Sequence, residues 1–286
     1  MYSENFTADE MVVVCMAREI RDYDVLAQGV ATPLVTNAYL LAKKTHAPNC
    51  TPMFHMGNTY VLETRPVSLL YFEKYVNTFA IRFQHSGEVT MEHLPSGRVT
   101  IEYFRPAQID MYGNFNNTCI GEWSSPKVRL PGAAGIPEVS ITYKKILLYV
   151  PRHDRRCFVP KIDFVSGVGF LDGKTTREEM GFPGKGPYHI ITDLAILGFD
   201  DKTKRMKVVS LHPGVTREEI QEKTGFELVI PKDVPTTEPP TKEQIRVIRE
   251  EIDPLGVRLL EFLPAEERDE LFDRIIEIET SKGSIS

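Results

Sequence analysis

The sequence predicts an α/β fold in which strands of a parallel sheet alternate with helices. Three observations predict it. "DVLAQG" (24–29) is a short buried-type strand that ends in a glycine and leads into a helical segment, "TPLVTNAYLLAKKTHAP" (32–48). Strand, glycine turn and helix in that order form a βα unit. A further apolar run, "TPMFHM" (51–56), follows at once. Later in the chain "KKILLYV" (144–150) and the meander "YHIITDLAILGFDDKTKRMKVVSL" (188–211) supply more strands.

The helices carry their own start signals. Thr7 and Glu10 make a capping box for a helix running to about Ile20. Thr32 and Pro33 open the second helix as cap and first residue, and Pro48 lies beyond its end. Thr216 and Glu219 cap the short helix "TREEIQEKTG" (216–225). The segment 69–83, "LLYFEKYVNTFAIRF", is read as helical. "GRVTIEYF" (97–104), "KIDFVSG" (161–167) and "FELVI" (226–230) are read as strands. From residue 233 the composition shifts to prolines and charges. Residues 1–232 are therefore expected to form the α/β domain, and 233–286 a proline-rich surface arm with C-terminal helices. The last of these, "PAEERDELFDRIIEIETSKG" (264–283), puts Leu271, Phe272, Ile275 and Ile276 on one face.

Composition excludes several functions. The chain has 286 residues and a formal net charge of -6, with no basic stretch on the scale of a nucleic-acid site. No apolar run approaches the roughly 18 residues that span a membrane, and the N-terminus does not read as a signal peptide. The four cysteines, Cys15, Cys50, Cys119 and Cys157, show no CxxC spacing and read as small buried thiols of a reducing cytosol. The seven histidines show neither HxH nor HExxH, so no metal site is expected. There is no GxSxG, GxGxxG or phosphate-loop pattern.

Three loops are rich in small or polar residues. "AQIDMYGNFN" (107–116) follows a strand, where open α/β sheets bind ligands, and also has the composition of a tight turn. "LPGAAGIPEVS" (130–140) has no bulky side chains, so its amides can approach a ligand and point at a developing oxyanion. "FVSGVGFLDG" (164–173) can hold a pantetheine chain or another backbone closely. "RHDRRC" (152–157) is a basic knot suited to phosphates or to salt bridges.

Taken together, "THAPNC", "AQIDMYGNFNNTCIG", "KIDFVSGVGFLDG", "GFDDKTKRM", "TREEIQEKTGFEL" and "IREEIDP" resemble, in order, the β subunit of glutaconate CoA-transferase, a family I CoA-transferase. The likeness covers about residues 5–257. It implies an open, mostly parallel sheet flanked by helices, with the C-terminal helix as an extension. It also implies a cytoplasmic enzyme with a separate α subunit in an α2β2 or larger assembly, and an acyl-CoA thioester as substrate with no permanently bound cofactor. In that family a β-chain glutamate attacks the acyl-CoA, passes through an acyl anhydride and becomes a glutamyl-CoA thioester. The glutamate stands seven residues past an Ala-Pro pair and two before a glycine; here the pair is Ala47-Pro48, the glycine is Gly57, and the position holds His55.

"IDFVSGVGF" and "VSLHPGVT" resemble the β chain of the ring-opening acyl-CoA hydrolases of steroid degradation, which lack the β-chain glutamate. In those enzymes, the resemblance implies, water cleaves a carbon–carbon bond in a cyclic β-dicarbonyl acyl-CoA. The reading favoured is a hydrolase, with His55 orienting or deprotonating water. Gly132, Ala133, Ala134 and Gly135 match the family's oxyanion loop. Gln108, Asp110 and Asn114 are expected to shape the substrate pocket, with Gly167 and Gly169 lining it. A transferase with another nucleophile, or a non-catalytic subunit completing a partner's site, are the alternatives.

Overall fold

The computed structural model describes residues 1–29, 32–54, 59–63, 65–85 and 96–282. The chain separates into two compact units, Met1–Thr90 with Pro239–Ser286, and Met91–Glu238. The C-terminal segment from residue 239 therefore belongs with the N-terminal residues.

In the first unit, α1 (Ala8–Arg18) starts where the sequence places it, the Thr7 amide donating to Glu10 Oε2 at 2.9 Å. Three successive valines, Val12, Val13 and Val14, are fully buried, so packing outweighs their modest helix propensity. Strand β1 (Val25–Gln28) leads through Thr32 and Pro33 to α2 (Pro33–Lys44) and then to β2 (Thr51–Phe54), parallel to β1 in the register Val25↔Thr51. This is the expected βα unit. The N-terminus of α2 finds a distant acceptor, the Leu34 amide donating to Glu261 Oε1 at 2.9 Å. Strand β3 (Thr59–Val61) turns back antiparallel to β2. The segment read as one helix divides into α3 (Phe72–Thr78) and strand β4 (Ala80–Phe83), antiparallel to β3.

The proline-rich arm is not a loose surface element. After Thr241 and Gln244 form a capping box, the helix Lys242–Arg246 widens into a π-helical turn, Val247–Ile252, and Ile245, Val247, Ile248 and Ile252 are buried. The final helix, Ala265–Lys282, buries Leu271 and Ile275 but leaves Phe272 46% exposed, so the apolar stripe is narrower than the sequence suggests. Arg258 is 6% exposed and is held by three buried carboxylates, with Asp9 at 2.7 Å, Asp253 at 3.1 Å and Glu10 at 3.4 Å.

The second unit is built on β5 (Ile101–Phe104). It continues through hairpin β6 (Gln108–Ile109) and β7 (Phe115–Asn116), and hairpin β8 (Cys119–Ile120) and β9 (Val128–Arg129). Helix α4 (Ile136–Thr142), β10 (Lys145–Val150), β11 (Pro187–Thr192), β12 (Ala195–Phe199), β13 (Met206–Leu211) and α5 (Arg217–Glu222) follow. β5, β10 and β11 are parallel neighbours, and β12 and β13 extend them antiparallel, as the meander predicts. The Thr216 cap is present, its hydroxyl accepting from the Glu219 amide. Two expected strands are absent. "KIDFVSG" is a bent segment whose Gly167 makes one isolated bridge to Phe115, and "FELVI" contributes one bridge, Val229 to Lys207. Their backbones are tied to single loop or edge positions rather than to a ladder.

Candidate active site

The loops after β5 are organised by side-chain amides and carboxylates. In the β6–β7 hairpin, Gln108 pairs with Asn116 and Ile109 with Phe115. At its tip, Asp110 Oδ1 accepts the amides of Tyr112 at 2.9 Å and Asn114 at 3.0 Å. Asn114 Nδ2 donates to Asp110 Oδ2 at 2.9 Å and to the Leu171 carbonyl at 2.8 Å, and its Oδ1 accepts the Gly169 amide at 2.9 Å. Burial pushes the Asp110 carboxyl above the usual range, and the Asn114 and backbone donors offset this only in part.

Gln108, 6% exposed, donates to Asp163 Oδ2 at 2.9 Å and accepts from Asn116 Nδ2 at 2.7 Å and the Asp163 amide at 3.0 Å. Asp163 also receives the Gly121 amide at 2.9 Å, which with Gln108 holds its carboxyl below the usual range. Gln108, Asp110 and Asn114 thus brace neighbouring loops on one another, and each of these polar groups already has a partner in the protein.

Gly167 and Gly169 let backbone and ring approach closely. A Cβ at Gly167 would stand 2.2 Å from the Phe115 ring, and one at Gly169 only 2.3 Å from the Gly113 backbone. At Gly169 the close neighbour is another backbone, one of the two roles the sequence allows for this loop; at Gly167 it is an aromatic ring.

The glycine–alanine loop hangs from the β8–β9 hairpin. The Leu130 amide donates to Thr118 O and the Gly132 amide to Asn117 O, both at 3.0 Å, which carries the chain across to α4. Gly132 and Gly135 have positive φ, 111° and 71°, and an added Cβ would meet nothing within 4 Å at either. Among the described residues no group accepts from the amides of Ala133, Ala134 or Gly135, while the Gly132 amide is already bonded. Three adjacent N–H groups, on partly exposed residues, thereby precede α4. Beside this loop, Trp123 stacks on Phe164 at 5.1 Å beneath the Arg129 guanidinium at 4.6 Å, and remains 56% exposed.

His55 lies outside the described residues. His153 and His212 are buried framework groups. His153 bridges Thr192 and Thr224 and stacks on Phe158, and burial pushes its pKa down to about 3. His212 contacts Thr237 and the Thr192 carbonyl. Within the basic knot, Arg156 pairs with Asp154 and Arg155 donates to the Glu222 carbonyl. All four cysteines are buried and free. Among the described residues no group of three His, Cys, Asp or Glu is placed to hold a metal, and no helix is long and apolar enough to cross a membrane.

Sequence reasoning missed Arg177. It is 5% exposed, and its guanidinium donates to the carbonyls of Gly184, Val168, Gly169 and Ser140, pinning the 164–173 loop and α4 together. No local signal in "TTREEMG" separates this arginine from a solvated one.

A family model described as coenzyme A transferase matches residues 9–223. The chain is 35% identical to a 3-oxoadipate CoA-transferase subunit of Pseudomonas knackmussii over 245 residues, covering 85% of this chain and 92% of that protein. Its fold is similar to glutaconate CoA-transferase from Acidaminococcus fermentans, with TM-score 0.79 and 31% identity over 93% of this chain and all of that one. It is also similar to IpdAB of Rhodococcus jostii RHA1, with TM-score 0.78 and 25% identity over 92% of this chain and 100% of that one. The chain belongs to the coenzyme A transferase family.

Proposed function

We propose that this chain is the β-type subunit of an αβ enzyme that hydrolyses an acyl-CoA, with a carbon–carbon bond of a cyclic β-dicarbonyl acyl group as the favoured target. The observation that supports thioester chemistry is the row of unengaged amides at Ala133, Ala134 and Gly135. Such donors stabilise negative charge that develops on a carbonyl oxygen. The preference for water over a carboxylate nucleophile rests on the sequence: His55 stands where the family's glutamate is expected. An imidazole cannot form the acyl anhydride, but a neutral one is suited to taking a proton from water near pH 7.

In this reading hydroxide adds to a ring ketone, the bond to the carbon next to the thioester breaks, and the electron pair becomes a thioester enolate. The loop amides carry the enolate oxygen, and the proton taken from water returns to carbon. The product gains one water and keeps its CoA ester. A cholesterol ring-cleaving hydrolase subunit, IpdB of Rhodococcus jostii, is 31% identical over 151 residues, which supports this class of substrate. CoA transfer is the second reading, favoured by 35% identity to subunits of two CoA-transferases over 85% and 87% of the chain.

The test is to co-purify the chain with its α partner and follow CoA species by mass spectrometry in H2(18)O, with and without an acceptor acid. The expected product is an acyl-CoA heavier by one labelled water, formed without acceptor and lost in His55→Ala. Free CoA with a labelled acid would restrict the activity to thioester hydrolysis. CoA appearing on the acceptor acid would overturn the hydrolase reading.

A further inference from the structure

Two buried glutamines use their carboxamides differently. Gln108 employs both ends, donating to Asp163 Oδ2 and accepting from Asn116 Nδ2 and the Asp163 amide. Gln28, the last residue of β1 and 3% exposed, employs only one. Its Nε2 lies 2.6 Å from Thr36 Oγ1, 3.1 Å from Thr32 Oγ1 and 3.3 Å from the Thr32 carbonyl. A carbonyl only accepts, so the nitrogen belongs on that side and the oxygen on the other. That oxygen, Oε1, is shielded from solvent, and among the described residues nothing donates to it.

The fold does not need this half-used amide. The Thr36 hydroxyl also lies 3.3 Å from the Thr32 carbonyl, so the first turn of α2 closes without Gln28. A buried acceptor without a donor opposes folding, and an apolar side chain of the same shape would avoid that cost. Departures of this kind from polar satisfaction concentrate at functional sites.

The position is equally specific. Gln28 stands opposite Phe54 where the parallel strands β1 and β2 both end, and open α/β sheets bind ligands beyond such carboxyl ends. One residue on, an added Cβ at Gly29 would meet nothing within 4 Å, so the chain leaves β1 into open space. Phe54 is followed in the sequence by His55, to which the hydrolase reading gives the proton transfer. On the far side of Phe54 its β3 partner, Thr59, is fully buried and also holds an unpartnered hydroxyl oxygen. A hydroxyl rotates to suit its surroundings, whereas the Gln28 carboxamide is clamped through its nitrogen.

Water attacks through a lone pair while its two O–H bonds point at acceptors. One proton goes to the general base; the other needs an acceptor that orients it without removing it. A carboxamide oxygen is uncharged and accepts without taking the proton near pH 7. We propose that Gln28 Oε1 is the second acceptor of the attacking water, so that Gln28 aims the nucleophile that the base activates. The assignment rests on the hydrolase reading. No bond to Gln28 forms or breaks. The base removes one proton, and the other stays on the oxygen that adds to the ring ketone.

The test measures kcat and KM of the full αβ complex on a β-oxocyclohexanecarboxyl-CoA in H2(18)O, with thermal unfolding of each variant. Gln28→Leu should lower kcat about a hundredfold and leave KM within about twofold, as expected when an interaction acts in the transition state. Its unfolding midpoint should equal or exceed that of wild type, because the orphaned acceptor is gone. Gln28→Glu keeps an oxygen at that position and should recover most of the lost rate. Thr59→Val, on the far side of Phe54, should leave both constants unchanged. An unaffected kcat in Gln28→Leu would overturn the assignment and leave the hydrolase reading intact. A rate loss shared equally by Thr59→Val, or one that accompanies a lowered unfolding midpoint, would reduce Gln28 to a structural brace and overturn it as well. A wild-type complex that incorporates no label from water would overturn the hydrolase reading, and this assignment with it.

Discussion

Replacing Glu102 by glutamine should stabilise the protein, and increasingly so as pH rises. Glu102 lies in β5 opposite Ile146 of β10 and is 4% exposed. Burial pushes its carboxyl from the ordinary 4.5 up to about 8. The folded value lies above the unfolded one, so the folded protein holds this proton more tightly, and ionisation opposes folding. The penalty is absent below about pH 4.5, grows as pH rises, and levels off above about pH 8. A difference of about 3.5 in pKa, at about 1.4 kcal/mol for each, sets a ceiling near ~5 kcal/mol, of which about 3 kcal/mol is present at pH 7. Glutamine has nearly the same shape and does not ionise. Urea unfolding of wild type and Glu102→Gln at pH 5 and pH 8 measures the effect. The stability difference between the two proteins should grow by about 3 kcal/mol over that interval. Parallel pH dependence in both would refute the argument, because it would mean that the folded environment does not disfavour the charge.

Arg258→Met should destabilise by about 3–5 kcal/mol in thermal or urea unfolding, since it strands the buried carboxylates of Asp9, Glu10 and Asp253. Burial raises the Glu10 pKa, but the Arg249 bond, the Thr7 amide and Arg258 together bring it below 4.5, so its contribution is full above that pH and is lost on acidification. The stability difference between wild type and the Arg258 variant should accordingly shrink as pH falls through the carboxylate range. Gly169→Ala should cost about 3 kcal/mol, because the added methyl meets the backbone of Tyr112 and Gly113 rather than a yielding side chain. Arg177→Met should cost about 2–4 kcal/mol by leaving four carbonyls without their donor, and hydrogen exchange should report loosening of residues 164–173 and α4 together.

The candidate site was legible in part. The polar density of 107–116 and the small residues of 130–135 singled out these two loops before any of their partners were known. They did not reveal that Gln108 depends on Asp163 and Asn114 on Gly169, partners 55 residues away in each case. A carboxylate or amide that braces two loops has the same local sequence signature as one that waits for substrate. Only its partners distinguish them. Likewise the Gly132 amide is bonded to Asn117 O while those of its three successors are not, a difference that no glycine count conveys.

What the sequence alone determined is what short-range physics controls. The caps at Thr7 and Thr216, the Pro33 start of α2, the turn at 200–204 and the βα unit at 25–44 depend on residues within a few positions of one another. The tertiary structure decided where short-range signals were degenerate. "KIDFVSG" and "FELVI" have strand-like composition, but the first meets only Phe115 of a short hairpin and the second touches edge strand β13 at a single position, Lys207. The split of 69–83 into helix and strand followed from β3 offering an edge to Ala80–Phe83. The C-terminal arm became part of a core because Ile245, Ile248 and Ile252 met apolar surface, and its Arg258 met three carboxylates, supplied in part by residues far away in the chain. Apolar period and composition say that a segment needs burial or pairing; the partner that satisfies it exists only once distant segments have been brought together.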